Sequence, residues 1–595
     1  MKYRYKAAIV LLSLLSLNTG CIDMLDEKPK SIIYESSITS ARELELSLVG
    51  AYRGFTQSND GQTFWKKLAP VDGWGSMGTD IWEMTPDRTG EDVKFGRYQF
   101  TQDNNSVKTF WSQYYMIINR LNYILDIAEQ IDIKPEQKAA IIAEAKFMRG
   151  FSYFELAKYF GGVPLRLKHS VDVASASHLK KSTEAEVYAQ AIADMEEAAA
   201  NLPEKSIYGR ANKWAAKGLL SKMYLFCGGY LYKYADKEYF RKSLALSNEI
   251  IQSGLYPLNP TDVGNPGAFK QYGYQFTSSG DNTLESLFEL QFETGELGGG
   301  WGYRSVNGGQ NFDVSDYGKY FYYWGGHRVS SDFALSFDDS DVRFQWSIAT
   351  FELKRGQRKA NPSNWWFPSK FRVEDKASGW ENPINAKVLR MAEVYLLYAE
   401  AYNELYDAPA SAASAADGFN MTAFDAINKV RERAQAPLMD DAYLNAVSPF
   451  IMDDMHAMNY GMSTESFIKT HPSYTGRHVY YQGADAKERF RDAILMERGW
   501  ELCFEAHRWF DLKRMGRTRE LVKKSHLIKG VYLNDFKDPQ DKSAFKINQL
   551  PKVQNFTPYV TAGCVDQDNI FYLPIPKHEL DYNNMMDESD QNPGY

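Results

Sequence analysis

The sequence predicts a mostly helical chain, a single architecture interrupted by large, irregular, loop-rich insertions. Three observations carry this. Long stretches repeat their apolar residues at helical spacing. Alanines recur where helices approach closely, with aromatics three or four places away. The stretches between are rich in Gly, Pro and aromatics and keep no helical period. In chain order, residues 22–40 read as an extended tether rich in charge and Ser, followed by a first helix near Ala41 to Phe55. Further helices are expected over Phe110 to Gln130, Glu136 to Phe160, Thr183 to Asn201, Ala211 to Phe226, Lys237 to Ser253, Asn385 to Leu405, Ala423 to Ala434 and Glu488 to Met515. In the second of these Phe147, Phe151 and Phe154 share a face, and Gly161-Gly162 with Pro164 closes the helix. In Asn385 to Leu405, Met391, Tyr395, Tyr398 and Tyr402 share another.

Helix pairs joined by short turns, with Ala at close-packing positions, form the pattern of tetratricopeptide-like hairpins, although no strict 34-residue period is present. The intervening loops have a composition of their own. Between Gly298 and Gly326 lie nine glycines and nine aromatics. Glycine makes a helix costly there, so this is expected to be a surface loop carrying large rings. A second cluster, Phe64, Trp65, Trp74 and Trp82, is threaded by Gly61, Gly73, Gly75 and Gly78, and a third is Trp365-Trp366-Phe367. Flat rings bind the C–H faces of sugars while neighbouring Asp, Asn or Arg take the hydroxyls. Each ring can equally be packed beneath a loop or against a partner protein.

The N-terminus joins a basic start, Lys2 to Lys6, to an apolar run from Ala7 to Leu17 and then Gly20-Cys21. This is the form of an export signal, too short to span a bilayer. Cys21 stands where a bacterial lipoprotein carries its acyl chains, although Asn18 replaces the usual leucine three places before it. Loss of residues 1–20 removes three basic residues and takes the formal charge from −8 to −11. So acidic a chain is poorly suited to nucleic acid. Cys227, Cys503 and Cys564 then remain, and neither a disulfide framework nor a metal spacing is visible.

Catalytic motifs are missing: there is no nucleophile elbow, zinc-binding HExxH, Walker loop or dinucleotide fingerprint. The strongest enzymatic reading takes Glu497, Glu501 and Glu505 as glycosidase carboxylates. Three acids on one helical row point the same way, whereas glycoside hydrolysis needs two acids flanking a bond. Arg498, Arg508 and Arg514 make ion pairing the expected role, so no catalytic residue is assigned. The Asp338, Asp339 and Asp341 cluster lacks the glycine and terminal glutamate of a calcium loop and reads as a solvated turn, so no metal and no cofactor are expected.

The segment Glu497 to Arg514, ERGWELCFEAHRWFDLKR, read as one continuous helix, resembles the C-terminal signature of the SusD/RagB family of outer-membrane nutrient-binding lipoproteins. Other family-like segments are WSQYYMIINRLNYIL from Trp111, EAKFMRGFSYFELAKYFGGVPL from Glu144, GRANKWAAKGLLSKMYL from Gly209, ESLFELQF from Glu285, LRMAEVYLLYAEA from Leu389, INKVRERAQAP from Ile427 and YLPIPKHE from Tyr572. The resemblance implies a SusD-like frame of about four tetratricopeptide-like helix pairs. It divides the chain into a lipoprotein signal peptide (1–20), an N-terminal helical region (21–255) and a C-terminal region with ligand loops (256–595). It implies no enzymatic activity, but capture of an oligosaccharide or polysaccharide by a protein lipid-anchored through Cys21 to the outer membrane, facing the exterior, and delivery to a SusC-like TonB-dependent transporter. Peptide cargo is the alternative, and a surface glycoside hydrolase a more distant one. Relatives build the platform from loops before the Trp111-type helix and after the Glu285-type strand. Chemistry and that location select Asp72, Trp74, Trp82, Trp301, Tyr303, Tyr323 and Trp324 as candidate ligand-binding residues.

Overall fold

The structure is a computed structural model that describes residues 38–56, 76, 78–84, 94, 96–171, 177–258, 272–292, 327–330, 333, 336–338, 340–349, 351–354, 357–360, 367–371, 384–445, 483–527 and 568–595. Among the described residues the helices of six residues or more are α1 (Ala41–Thr56), α2 (Asn105–Gln130), α3 (Pro135–Phe160), α4 (Glu184–Asn201), α5 (Lys213–Tyr230), α6 (Lys237–Ser253), α7 (Val342–Ser347), α8 (Met391–Tyr406), α9 (Ala423–Arg433), α10 (Ala486–Glu501), α11 (Arg508–Arg514), α12 (Thr518–Leu527) and α13 (Lys577–Tyr582). Most begin on a side chain that satisfies their free N–H groups. Asn104 accepts from Ser106 and Val107, Thr183 and Glu186 form a capping box, and Asn212, Asp236, Thr422 and Asp485 cap α5, α6, α9 and α10. Helix α3 starts on Pro135, whose missing N–H is not needed there, and stops at Gly161 with φ +70°.

The helices pack largely in sequence order: α2 on α3, α3 on α4, α4 on α5, α5 on α6, α6 on α8, and α8 on α9 and α10. Each buries its apolar stripe against its neighbours, the arrangement by which stacked hairpins build a continuous core. Helix α3 lies at the centre, buried at every residue from Phe147 to Phe160. Its predicted face meets Phe288 and Phe226 edge-on, with Phe147–Phe288 centroids at 5.1 Å and Phe154–Phe226 at 5.6 Å. Close approach depends on glycine. A Cβ on Gly150 lies 2.8 Å from the Ala191 carbonyl oxygen of α4. Backbone cannot yield there, so Gly150→Ala is expected to lose about 1–2 kcal/mol net of the helix propensity it gains, as checked by urea unfolding.

Two expected helices differ from the structure. Residues Ala386–Arg390 form a strand (β4) rather than the first turn of α8, and pair antiparallel with Ser286–Leu290 (β2), Leu290 opposite Ala386. All five are buried, which a helix starting at Asn385 would not achieve. The expected helix over Glu488 to Met515 is broken between α10 and α11. Residues Leu502–His507 form a bend in which Phe504 and Ala506 hold φ of +63° and +65°. Two further strands, Trp82–Met84 (β1) and His327–Val329 (β3), pair antiparallel with Trp82 opposite Val329. Tyr395, assigned to the buried face of α8, is half-buried, whereas Met391, Tyr398 and Tyr402 are buried.

Candidate functional site

The bend at Leu502–His507 closes on a fully buried charge cluster. Glu497 and Glu501 are inaccessible and Glu505 is 1 % exposed. Arg343 bridges Glu497 at 2.6 Å and Glu501 at 3.1 Å, and Arg431 reaches Glu497 at 2.7 Å. Arg433 contacts Glu501 and Glu285, and Arg390 contacts Glu501, Glu505 and Glu285. Burial of carboxylates on this scale is tolerable only with such partners. The expected ion-pairing role of these acids therefore holds, with two corrections. The expected arginines are not the partners: Arg498 pairs with Glu393 and Asp511, Arg508 with Asp80, and Arg514 with Glu400 and Asp511. Glu505 does not continue a helical row. It sits on the bend, and the left-handed turn aims it at Arg390 and Lys370, the latter at 2.6 Å. Burial raises the Glu501 carboxyl, but Arg433, Arg390 and Arg343 outweigh it and hold the group well below the usual carboxylate range. For Glu505, burial is overcome by Arg390 and Lys370 and the value falls to about 2. Asp511, between Arg498 and Arg514, likewise falls to about 2 against its burial.

These depressed values set an acid limit. Between about pH 4.5 and pH 2 the unfolded chain binds protons that the folded chain refuses, so the contribution of these carboxylates to stability falls with pH through that window and is fully present above it. Glu505 alone accounts for roughly 3 kcal/mol of this loss. Urea midpoints measured between pH 7 and pH 2 should begin to fall near pH 6.5, where burial keeps His507 from taking the proton that the unfolded chain binds, and drop more steeply below about pH 5.

Segments from two aromatic clusters reach this bend directly, and the segment after the remaining cluster is tied to it through β1 and α10. Ahead of β1, Asp80 takes a two-pronged ion pair from Arg508 at 2.8 and 2.6 Å, and Tyr98 holds the Gly78 carbonyl at 2.8 Å. Strand β3 begins three residues after Trp324. It is joined to the same stem by Ser330, whose N–H donates to the Ile81 carbonyl at 3.2 Å and whose hydroxyl donates to that of Asp80. A little further on, Ser336 accepts from the Trp500 indole at 2.8 Å. The third stem is Phe367–Phe371. Pro368 pairs with Ile348, residues 367–368 lie against β3, and Lys370 donates to Glu505 and to the Glu501 and Cys503 carbonyls at 2.7 and 3.2 Å. The long aromatic segment also leaves β2 at Phe292, whose N–H is held by Asn385 at 2.9 Å.

Of the seven candidate ligand-binding residues, only Trp82 falls among the described residues. It does not present a ring to solvent. At 2 % exposure it packs edge-on against Phe504, centroids 5.5 Å apart at 84°, and is part of the core under the strand pair. Its alternation in β1 turns it inward, which corrects the expectation of a shelf residue. Asp72, Trp74, Trp301, Tyr303, Tyr323 and Trp324, together with Cys21, Cys564, Asp339, Phe64, Trp65, Trp365, Trp366 and the signal 1–20, lie outside the described residues. Asp341 and Asp338 are not a solvated turn. Asp341 is 3 % exposed, caps α7 and pairs with Arg343, and Asp338 accepts from Arg431 and Tyr443. Among the described residues no cluster of three His, Cys, Asp or Glu is arranged to hold a metal. Sequence reasoning missed Asp80 and Lys370. A lone acid in a glycine-aromatic run and a lone cation after Trp-Trp-Phe-Pro-Ser were the available signals.

A frame of stacked helices with aromatic segments rooted on a buried Glu-Arg bend defines a class of binding scaffold, and sequence comparison gives that class its name. The chain belongs to the SusD/RagB family: one family model, the SusD family, matches residues 354–595, and a second, described as starch-binding associating with outer membrane, matches residues 23–225. Among its relatives are a SusD-like protein, P2, of Formosa agariphila, 26 % identical over the full length of both chains, and a SusD-like protein of Bacteroides ovatus, 26 % identical over 61 % of this chain and 64 % of the other. A SusD homologue from Bacteroides thetaiotaomicron superposes with a TM-score of 0.67 at 22 % identity, covering 94 % of this chain and 98 % of the other. A laminarin-binding SusD-like protein superposes with a TM-score of 0.62 at 20 % identity, covering 93 % and 99 %. Among the described residues no helix is long and apolar enough to cross a membrane.

Proposed function

We propose that this chain is a surface receptor that captures an oligosaccharide or polysaccharide on a shelf of aromatic loops and breaks no bond. The observation that supports this reading most is the attachment of the segments flanking three aromatic clusters to one buried, ion-paired region, the bend and the helix ends on either side of it. Loops rooted on a buried, paired base cost less to order on binding. The family's starch-binding description and the laminarin-binding neighbour point to the same ligand class. Asp72, Trp74, Trp301, Tyr303, Tyr323 and Trp324 are assigned as the contacts, with Trp82 beneath them as support. Acyl chains on Cys21 anchor the protein to the outer membrane on the exterior side, and a SusC-like TonB-dependent transporter receives the cargo. The three buried glutamates cannot serve as glycosidase acids, because a substrate cannot reach them and their charges are already committed.

Affinity gels and calorimetry with a broad glycan panel test this reading. The expected result is binding without product release, weakened at least tenfold in Trp324→Ala. Binding to a short-peptide panel with none to glycans replaces sugar by peptide as the cargo. Release of sugar from a polysaccharide ends the non-enzymatic reading.

A further inference from the structure

Among the described aromatics Tyr208 is the most exposed, at 79 %, and it is held in place rather than loose. It sits at the corner of the turn Ile207–Arg210, closed by the Arg210 N–H donating to the Ile207 carbonyl at 3.1 Å. Gly209 takes φ +83°, the left-handed third position such a turn requires. The Arg210 guanidinium is fixed in a two-pronged pair with the buried Glu144, the Ser206 hydroxyl donates to the Arg210 carbonyl at 2.8 Å, and the Lys213 N–H donates to that of Pro203 at 2.9 Å. The ring is therefore presented at little cost in backbone entropy.

Beside it stands a polar partner. Gly209 packs directly on the side chain of Gln291; a Cβ there falls 2.4 Å from the Gln291 Cγ. Gln291 and Asn282 exchange two reciprocal carboxamide hydrogen bonds of 2.9 Å each. Gln291 also accepts from Asn385 and donates to the Glu289 carbonyl, so its capacity is used. Asn282 is not saturated. Its side chain keeps one N–H and one oxygen lone pair, a donor and an acceptor side by side. An exposed ring on a turn that packs against Gln291, itself paired with Asn282, is the chemistry of a sugar contact; the neighbouring Ile207, also exposed, adds one apolar side chain, short of the wider apolar patch of a protein-docking face.

We propose that Tyr208 and Asn282 form an outer carbohydrate subsite, in which one pyranose of a bound chain stacks on the Tyr208 ring and its hydroxyls meet the free donor and acceptor of Asn282. This rests on the glycan-binding reading above and extends it. Gln291 is six residues along the β2 segment from Glu285, roughly 20 Å from the charge cluster. On this proposal a short oligosaccharide is held by the aromatic loops alone, and a long chain meets Tyr208 as well. The outer contact then adds affinity through its high effective concentration.

The test uses the full chain, its Tyr208→Ala and Tyr208→Phe variants, an array of polysaccharides that includes laminarin and soluble starch, and short oligosaccharides cut from whichever polysaccharide is bound. Tyr208→Ala is expected to bind the polysaccharide about tenfold more weakly, with short-oligosaccharide binding and thermal unfolding unchanged, and Tyr208→Phe to bind as wild type. Tyr208→Ala binding the polysaccharide as wild type overturns the subsite and leaves the glycan reading intact. An equal loss for long and short chains places Tyr208 in the main site and overturns a separate one. Unchanged glycan binding with lost association to a membrane protein assigns the tip to a protein partner instead. A wild-type chain that binds nothing on the array overturns both readings.

Discussion

Glu501→Gln is expected to destabilise the folded chain by roughly 3–5 kcal/mol, the usual cost of removing one member of a buried ion-pair cluster. The amide keeps the shape but not the charge, and Arg343, Arg390 and Arg433 all lose a carboxylate that none can replace from solvent. All four side chains are 2 % exposed or less, so water cannot compensate. Urea unfolding at pH 7 measures the loss. A variant as stable as wild type that has lost a hydrolytic activity would return Glu501 to the role of a catalytic acid.

Arg508→Met is the second large effect, because it cuts the tie between the bend and the stem carrying Trp74. Asp80, 5 % exposed, is left charged and without its guanidinium. A loss of about 3 kcal/mol follows. Because the stem of β1 is no longer held, glycan affinity should fall as well, although no residue of the proposed shelf is altered. Asp80→Asn in the same background removes the stranded charge and should recover part of the stability, giving a coupling of about 1–3 kcal/mol in the double-mutant cycle. Additive losses from the two substitutions would mean that the pair does not act as one contact.

The helices were legible wherever their boundaries are written locally. Helix α6 runs from Lys237 to Ser253 as expected, because Asp236 caps its start and Gly254 accepts the left-handed turn at its end. The break after Glu501 was not legible. Its left-handed residues are Phe504 and Ala506, types that carry no turn signal, and tertiary pairing of Glu505 with Arg390 and Lys370 imposes the conformation. Strand β4 was hidden for a similar reason: its partner lies about a hundred residues earlier, and five residues that include Lys387 and Arg390, next to a helix, show no distinct strand period. For the site, the sequence showed that the glutamates are ion-paired but not by which arginines: the neighbouring Arg498, Arg508 and Arg514 pair elsewhere, and Arg343, Arg390, Arg431 and Arg433 arrive from distant segments. It did not show Asp80 as the acid for Arg508, a partner 428 residues away. Trp82 was misplaced because composition does not reveal which way a strand residue faces.

Phe504 and Ala506 also constrain what engineering can do here. The kink they make holds two aromatic stretches at their roots, Trp82 against Phe504 and Lys370 against Glu505, and both anchors lie outside residues 293–326. Transplanting residues 293–326 from a relative with a different diet should therefore change what is bound while melting temperature stays put, giving interchangeable heads on a common chassis.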